Sequence, residues 1–192
     1  ISRREHEKLG IPFNHQHLND PELWERYLQG YLDADKIICP SRHSKECMIG
    51  HGANPDKIVI IPHGTDIPEG PIAPLPKRFR LGYLGAYGPD KGIPYLLMAW
   101  KKLAYSDATL VLAGRDSTSD YVRSMIRHFG GGNVEVVGWV NNIADFYNSI
   151  SVYVQPSCTE GFGIEVLEAM AYGRCVLCSC GAGAVDVVGP PD

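Results

Sequence analysis

No apolar run in this chain approaches the roughly 18 residues that a membrane-spanning helix requires. Nor is there a block of like charge. Eighteen Lys and Arg stand against 22 Asp and Glu, a formal net charge of -4, so no basic face is available to follow a nucleic acid. Cysteine is sparse: Cys39, Cys47, Cys158, Cys175, Cys178 and Cys180. No second Cys/His pair at zinc spacing accompanies Cys175-x-x-Cys178-x-Cys180, and "CVLCSC" reads as a short buried strand in which free cysteine acts as a small hydrophobe. That usage implies a reducing compartment. Internal repeats and low-complexity segments are absent. What remains, 192 residues of which 44% are hydrophobic and 21% charged, has the composition of a soluble globular protein. The sequence opens on Ile1 and stops at "GPPD" where a further element is due, so a fragment is expected.

From Asp20 the pattern is helical. Asp20 can cap, Pro21 suits the first turn, and Leu23, Trp24, Tyr27, Leu28, Tyr31 and Leu32 form one apolar face. "KIICP" follows as a buried strand, Ser41 as the cap of a second helix, and "KIVIIP" as another strand. Prolines 62, 68, 71, 74 and 76 then block both regular structures, which places a linker at 67–78 between residues 1–66 and 79–192. His63 falls beside this linker and reads as a hinge residue; His15 and His17 belong to no constellation.

After the linker, "FRLGYL", "TLVLAG", "VEVVG", "VYVQP" and "CVLCS" read as strands. Helical patterns separate them: one from Ile93 to Leu103, then Tyr121 to Phe129, Asn142 to Asn148 and Ile164 to Tyr172. Alternation of this kind predicts an α/β, Rossmann-like, doubly wound parallel sheet. Glycine-rich or polar segments leave the strand ends: 85–92, Gly114-Arg115-Asp116, Gly138, 157–163 and Gly181-Ala182-Gly183. Ligands bind beyond the carboxyl ends of such strands, and glycine lets backbone N–H groups approach a phosphate.

"TEGFGIEVLEAM" carries the sharpest signal. Gly161-Phe162-Gly163 makes a turn into a helix whose first N–H groups lack partners and suit a diphosphate. Glu160 precedes the turn. Glu168 lies ~7 Å along the helix axis, at roughly 1.5 Å per residue. A carboxylate can accept from adjacent hydroxyls, so the spacing fits a ligand built as sugar, diphosphate and ribose. Spacing alone equally fits two solvated acids, and Glu165 reads as a surface residue that favours the helix dipole.

"CTEGFGIEVLEAMAYGRCVLC" resembles the E-x7-E region of the retaining GT-B glycosyltransferases of family 4 (glycosyl transferases group 1). "LGYLGAYGPDKGIPYLLMAWKKL" is similar to the start of their donor domain, and "VGWV" with "IADFYNSISVYVQPS" to the stretch before the motif. "DADKIICPSRHSKECMIGHGANPDKIVIIPHGTD" is similar to the end of their N-terminal domain. The resemblance runs from about Leu18 onward. It implies a GT-B donor domain, C-terminally incomplete, preceded by the last part of a second Rossmann-like acceptor domain.

The resemblance also implies roles. Glu160 would contact hydroxyls of the transferred sugar and Glu168 the ribose. Backbone at Phe162, Gly163 and Ile164 would face sugar and diphosphate, with Gly85, Ala86 and Gly161 completing the contacts. Lys91 would neutralise the leaving diphosphate, and Gly138 to Val140 would lie beside the base. Ala86 stands where many members carry arginine, which leaves Lys91 and the helix terminus to stabilise the departing charge. The implied activity is hexosyl transfer with retention from a UDP-, GDP- or ADP-linked sugar to a sugar, lipid or other hydroxyl acceptor, with no metal or cofactor. A cytoplasmic location is expected, with peripheral membrane contact through the absent acceptor region left open. Two other readings share these residues: a sugar-nucleotide epimerase or phosphorylase, and a non-catalytic nucleotide-sugar-binding subunit.

Overall fold

The computed structural model describes residues 2–10 and 21–189. Asp20, His15 and His17 lie outside the described residues. The chain builds α1 (Ser2–Leu9), α2 (Pro21–Asp33), β1 (Ile37–Cys39), α3 (Arg42–Gly50) and β2 (Ile58–Ile60), then β3 (Phe79–Leu84), α4 (Ile93–Leu103), β4 (Ala108–Ala113), α5 (Asp120–Phe129) and β5 (Val134–Gly138). It continues as α6 (Ile143–Ser149), β6 (Val152–Gln155), α7 (Ile164–Ala171), β7 (Cys175–Cys178) and α8 (Val185–Val188). Residues 61–78 form neither helix nor strand.

Five strands pair in parallel in the order β5-β4-β3-β6-β7. The chain runs outward from β3 to β5, returns, and continues from β6 to β7 on the other side. The reversal lies between β3 and β6, where Leu81 and Gly82 pair with Val152 and Tyr153. β4 explains the double winding. Leu110 and Leu112 enter one core with Leu97, Trp100, Val122 and Met125, while Val111 and Ala113 enter the opposite core with Phe146, Tyr147, Ile150 and Val166. Successive side chains point to opposite faces, so a strand covered on both reads as an unbroken apolar run.

β1 and β2 form a separate parallel pair with a small core of Ile37, Cys39, Ala53 and Ile58. Buried Arg174 donates to the carbonyls of Tyr172, Ile150 and Ala73, which ties the irregular 61–78 segment to the large sheet.

Three sequence expectations change. The apolar face predicted for α2 is largely exposed, with Trp24, Tyr27 and Leu32 at 43%, 58% and 61%. Only Leu23, Leu28 and Tyr31 of that face are half-buried, because the two-strand sheet beneath is small. β7, expected as a buried strand, is among the described residues an edge strand paired only with β6, and Cys175 and Leu177 are exposed. α1 was not expected at all. Its sequence, SRREHEKL, has no apolar stripe, and it is held by contact with the turn at Pro89–Lys91 and with α4, whose Tyr95 Oη donates to Glu5 and whose Tyr95 ring lies under Lys8.

Candidate functional site

The crevice at the β3/β6 reversal is walled by the loops that leave those two strands. They approach closely at Gly92, which has φ 73; a Cβ there would stand 1.9 Å from the Pro156 carbonyl oxygen. No side chain fits between them. Gly163, with φ 90, is the N-cap of α7 and offers no side chain to its first N–H groups; Val166 N–H donates to Gly163 O at 3.1 Å, which leaves those of Ile164 and Glu165 toward the crevice. The turn before it is stitched down: Glu160 N–H donates to Gly181 O, Gly183 N–H to Glu160 O and Ala184 N–H to Phe162 O, at 2.9, 3.0 and 2.7 Å. Cys158 N–H adds a bond to Asp90 O on the opposite loop.

Two adjoining cavities fill the crevice. The first, about 480 Å³, is lined by Lys91, Gln155, Glu160, Phe162 and Gly163. The second, about 490 Å³, is lined by Arg115, Trp139, Val140, Ile143 and Glu168. Leu84, Gly85, Ala86, Ile164 and Glu165 border both, so the amino end of α7 stands at the junction. An extended anion lying across that junction would meet the first turn of α7 and the positive end of the helix dipole.

The acids at either end are fixed differently. Glu160 Oε2 lies 2.5 Å from Lys91 Nζ, with both side chains about a quarter exposed. Lys91 has two further N–H donors for a ligand. Beside them, Tyr153 Oη donates to Gln155 Oε1 at 2.6 Å, and Gln155 Nε2 donates to Ser157 Oγ at 2.8 Å, which orients the amide. Glu168 accepts from Tyr147 Oη at 2.6 Å. Tyr147 is buried and stacked on Tyr172, and its phenol is pushed far above the ordinary value by burial and by the Glu168 carboxylate. It is therefore a fixed donor that leaves the other Glu168 oxygen free to accept.

The crevice brings Gly85, Ala86, Lys91, Val140, Glu160, Gly161, Phe162, Gly163, Ile164 and Glu168 to its walls. Gly138 is not on them. It sits at the end of β5 with φ 90, where its carbonyl accepts from Gly114 N–H. Other residues enter that the sequence reading assigned elsewhere. Glu165 is half-buried and borders both cavities rather than facing solvent, because the first turn of α7 points into the crevice. His63 lines the first cavity, edge-on to Phe162 with ring centroids 5.2 Å apart. Arg115 lies over the Trp139 ring, 5.7 Å from its centroid.

A clamp from α3 was also not visible in the sequence. Ser41 Oγ and Ser44 Oγ both donate to Gly161 O, at 2.6 and 2.9 Å. Arg42 donates from its backbone and its guanidinium to the Asp186 carboxylate, at 2.7 and 2.8 Å, and His43 Nε2 lies 3.1 Å from Thr159 Oγ1. These pairs lie more than 110 positions apart in sequence, beyond any local pattern.

This doubly wound parallel sheet, preceded by a smaller parallel pair, is the GT-B fold of the glycosyltransferase structures on which it superposes. Residues 78–191 match the model of the glycosyl transferases group 1, more than half of the sequence, and the chain belongs to that family. Residues 6–69 match the model of glycosyltransferase family 4. Among curated relatives, an uncharacterized glycosyltransferase of Haemophilus influenzae is 28% identical over 187 residues, covering 86% of this chain and 52% of the relative. A phosphatidyl-myo-inositol mannosyltransferase of Mycolicibacterium smegmatis is 34% identical over 132 residues, covering 63% and 34%. Among solved structures, Anabaena HepE in complex with UDP and glucose superposes with a TM-score of 0.73 at 20% identity, covering 92% of this chain and 53% of that one. Sucrose-phosphate synthase from Thermosynechococcus elongatus gives 0.76 at 22%, covering 99% and 51%. The chain thus spans about half the length of the first of these relatives. Among its described residues no helix is long and apolar enough to cross a membrane.

Proposed function

We propose that this chain carries the donor half of a retaining glycosyltransferase, which moves a sugar from a nucleotide sugar to an acceptor hydroxyl. One observation carries the reading: two cavities meet at the uncapped amino end of α7, with the Lys91–Glu160 pair on one side and Glu168 on the other. The diphosphate lies across the junction, the transferred sugar beside Glu160, and the ribose on Glu168. The base lies toward Val140 and Trp139. Bond cleavage puts charge on the departing diphosphate, which Lys91 and the helix terminus stabilise without a metal. Residues 79–192 form the donor unit, residues 1–66 the end of the acceptor unit, and 67–78 the link. A neighbour solved with UDP and glucose supports the ligand class.

A panel of UDP-, GDP- and ADP-linked sugars scored by thermal shift tests this. At a concentration ~100 times the dissociation constant, one of them should raise the melting temperature by about 5–10 °C. No shift with any member would remove the reading. Tyr147→Phe should weaken the active nucleotide about three- to tenfold without unfolding the chain, since it loses the hydrogen bond that fixes a charged acceptor. Calorimetry showing equal affinity would mean that Glu168 is oriented by something else.

A non-catalytic nucleotide-sugar-binding role has one observation in its favour: Ala86, which borders both cavities, brings no cation to the diphosphate position. Release of nucleoside diphosphate by the full-length protein in the presence of an acceptor excludes it.

A further inference from the structure

Glu165 stands where a diphosphate should be. It lies in the first turn of α7 between Glu160 and Glu168, half-buried, and borders both cavities where they meet. Gly163 has no side chain with which to cap the helix, and the Glu165 carboxylate accepts from its own backbone N–H instead. A carboxylate thus covers one of the N–H groups that an incoming anion would use. Its surroundings favour the neutral form. Burial is the largest influence raising its pKa, Glu160 and Glu168 add to the rise, and the backbone hydrogen bond and Lys91 oppose it. The phenols of Tyr83, Tyr147 and Tyr153 also feel its charge, and Arg115 and His63 stand on the surrounding walls.

We propose that Glu165 is a proton-linked gate on the diphosphate position: ionised, it covers the amino end of α7, and it takes up one proton from solvent as a nucleotide sugar binds, so that its carboxyl O–H donates to a phosphate oxygen. This rests on the nucleotide-sugar reading above. Its physical basis is that a further anion is disfavoured at a half-buried junction already lined by Glu160 and Glu168, even with Lys91 and Arg115 on its walls, and that protonation turns a repelling acceptor into a donor. The sign follows from linkage. The complex holds more protons than the free chain, so binding strengthens as pH falls, by at most about tenfold per unit for one group. A nucleotide sugar bears no phosphate proton that titrates near neutrality, so the slope belongs to the protein.

The experiment is calorimetry of UDP-glucose, GDP-mannose and ADP-glucose binding from about pH 6 to about pH 8, in two buffers of different ionisation heat. The probe that binds should do so with net proton uptake, and its affinity should fall about three- to tenfold per pH unit. Glu165→Gln, close in shape and unable to ionise, should bind without uptake and with little pH dependence, and at about pH 8 more tightly than the unmodified chain. Histidines exchange protons in this range, so His63→Gln is the control, in which uptake persists. Binding without uptake, or a Glu165→Gln variant weaker at every pH, overturns the gate and leaves the nucleotide-sugar site standing. Failure of every probe to bind both proteins overturns the gate and the site together.

Discussion

Lys91→Ala should lower turnover about 100-fold or more while weakening donor affinity less than tenfold. A preorganised cation at developing charge contributes about 3–4 kcal/mol to the transition state, and each 1.36 kcal/mol is a factor of ten in rate. Lys91 is a cation lining the first cavity: its Nζ lies 2.5 Å from Glu160, and Ala86 adds no charge. Substitution has a second effect, because the Glu160 carboxylate then faces the leaving diphosphate with no counter-charge. Both effects grow as the glycosidic bond breaks, so they fall on the rate constant rather than on ground-state binding. Single-turnover kinetics of the full-length enzyme, with donor affinity measured separately, decide the matter. Equal and small losses in rate and affinity would make Lys91 an ordinary surface lysine.

Glu168→Ala should weaken nucleotide binding by about 1–3 kcal/mol, the scale for losing hydrogen bonds to a charged acceptor. That is roughly a five- to 150-fold rise in the dissociation constant. The geometry makes the loss specific. Tyr147 Oη holds one carboxylate oxygen, so in the proposed complex the group would meet a ribose already oriented, and Tyr147 keeps its 3.3 Å contact with Glu165 O when Glu168 is removed. The fold should therefore tolerate the change. Melting curves that match the unmodified chain, with calorimetry showing undiminished nucleotide affinity, would take Glu168 out of the binding site.

The parts of this molecule that were legible in sequence are those governed by local pattern. β3 and β5 stand at the positions their strand patterns marked, and Ser41 caps the following helix through its side chain. The turn-helix of Gly163 and Ile164 was readable because it needs glycine at a positive φ followed by a helix start. What was not legible depends on neighbours distant in the chain. α1 lacks any apolar periodicity and exists by contact with the 89–91 turn. β7 has the composition of a buried strand, yet the sheet order leaves it at an edge. Glu165 obeys the rule that places acids in a first helical turn, and that rule says nothing of where the turn points. Its burial follows from the strand reversal, which sets α7 against the crevice.

Ser41 serves two partners at once, accepting from Ser44 N–H at 3.0 Å as the helix cap and donating to Gly161 O at 2.6 Å. With the Arg42–Asp186 pair beside it, this hydroxyl makes the small sheet and the 160–163 turn mechanically one part. Any swing of one lobe away from the other must first undo that serine, and in doing so would loosen the backbone that carries Glu160.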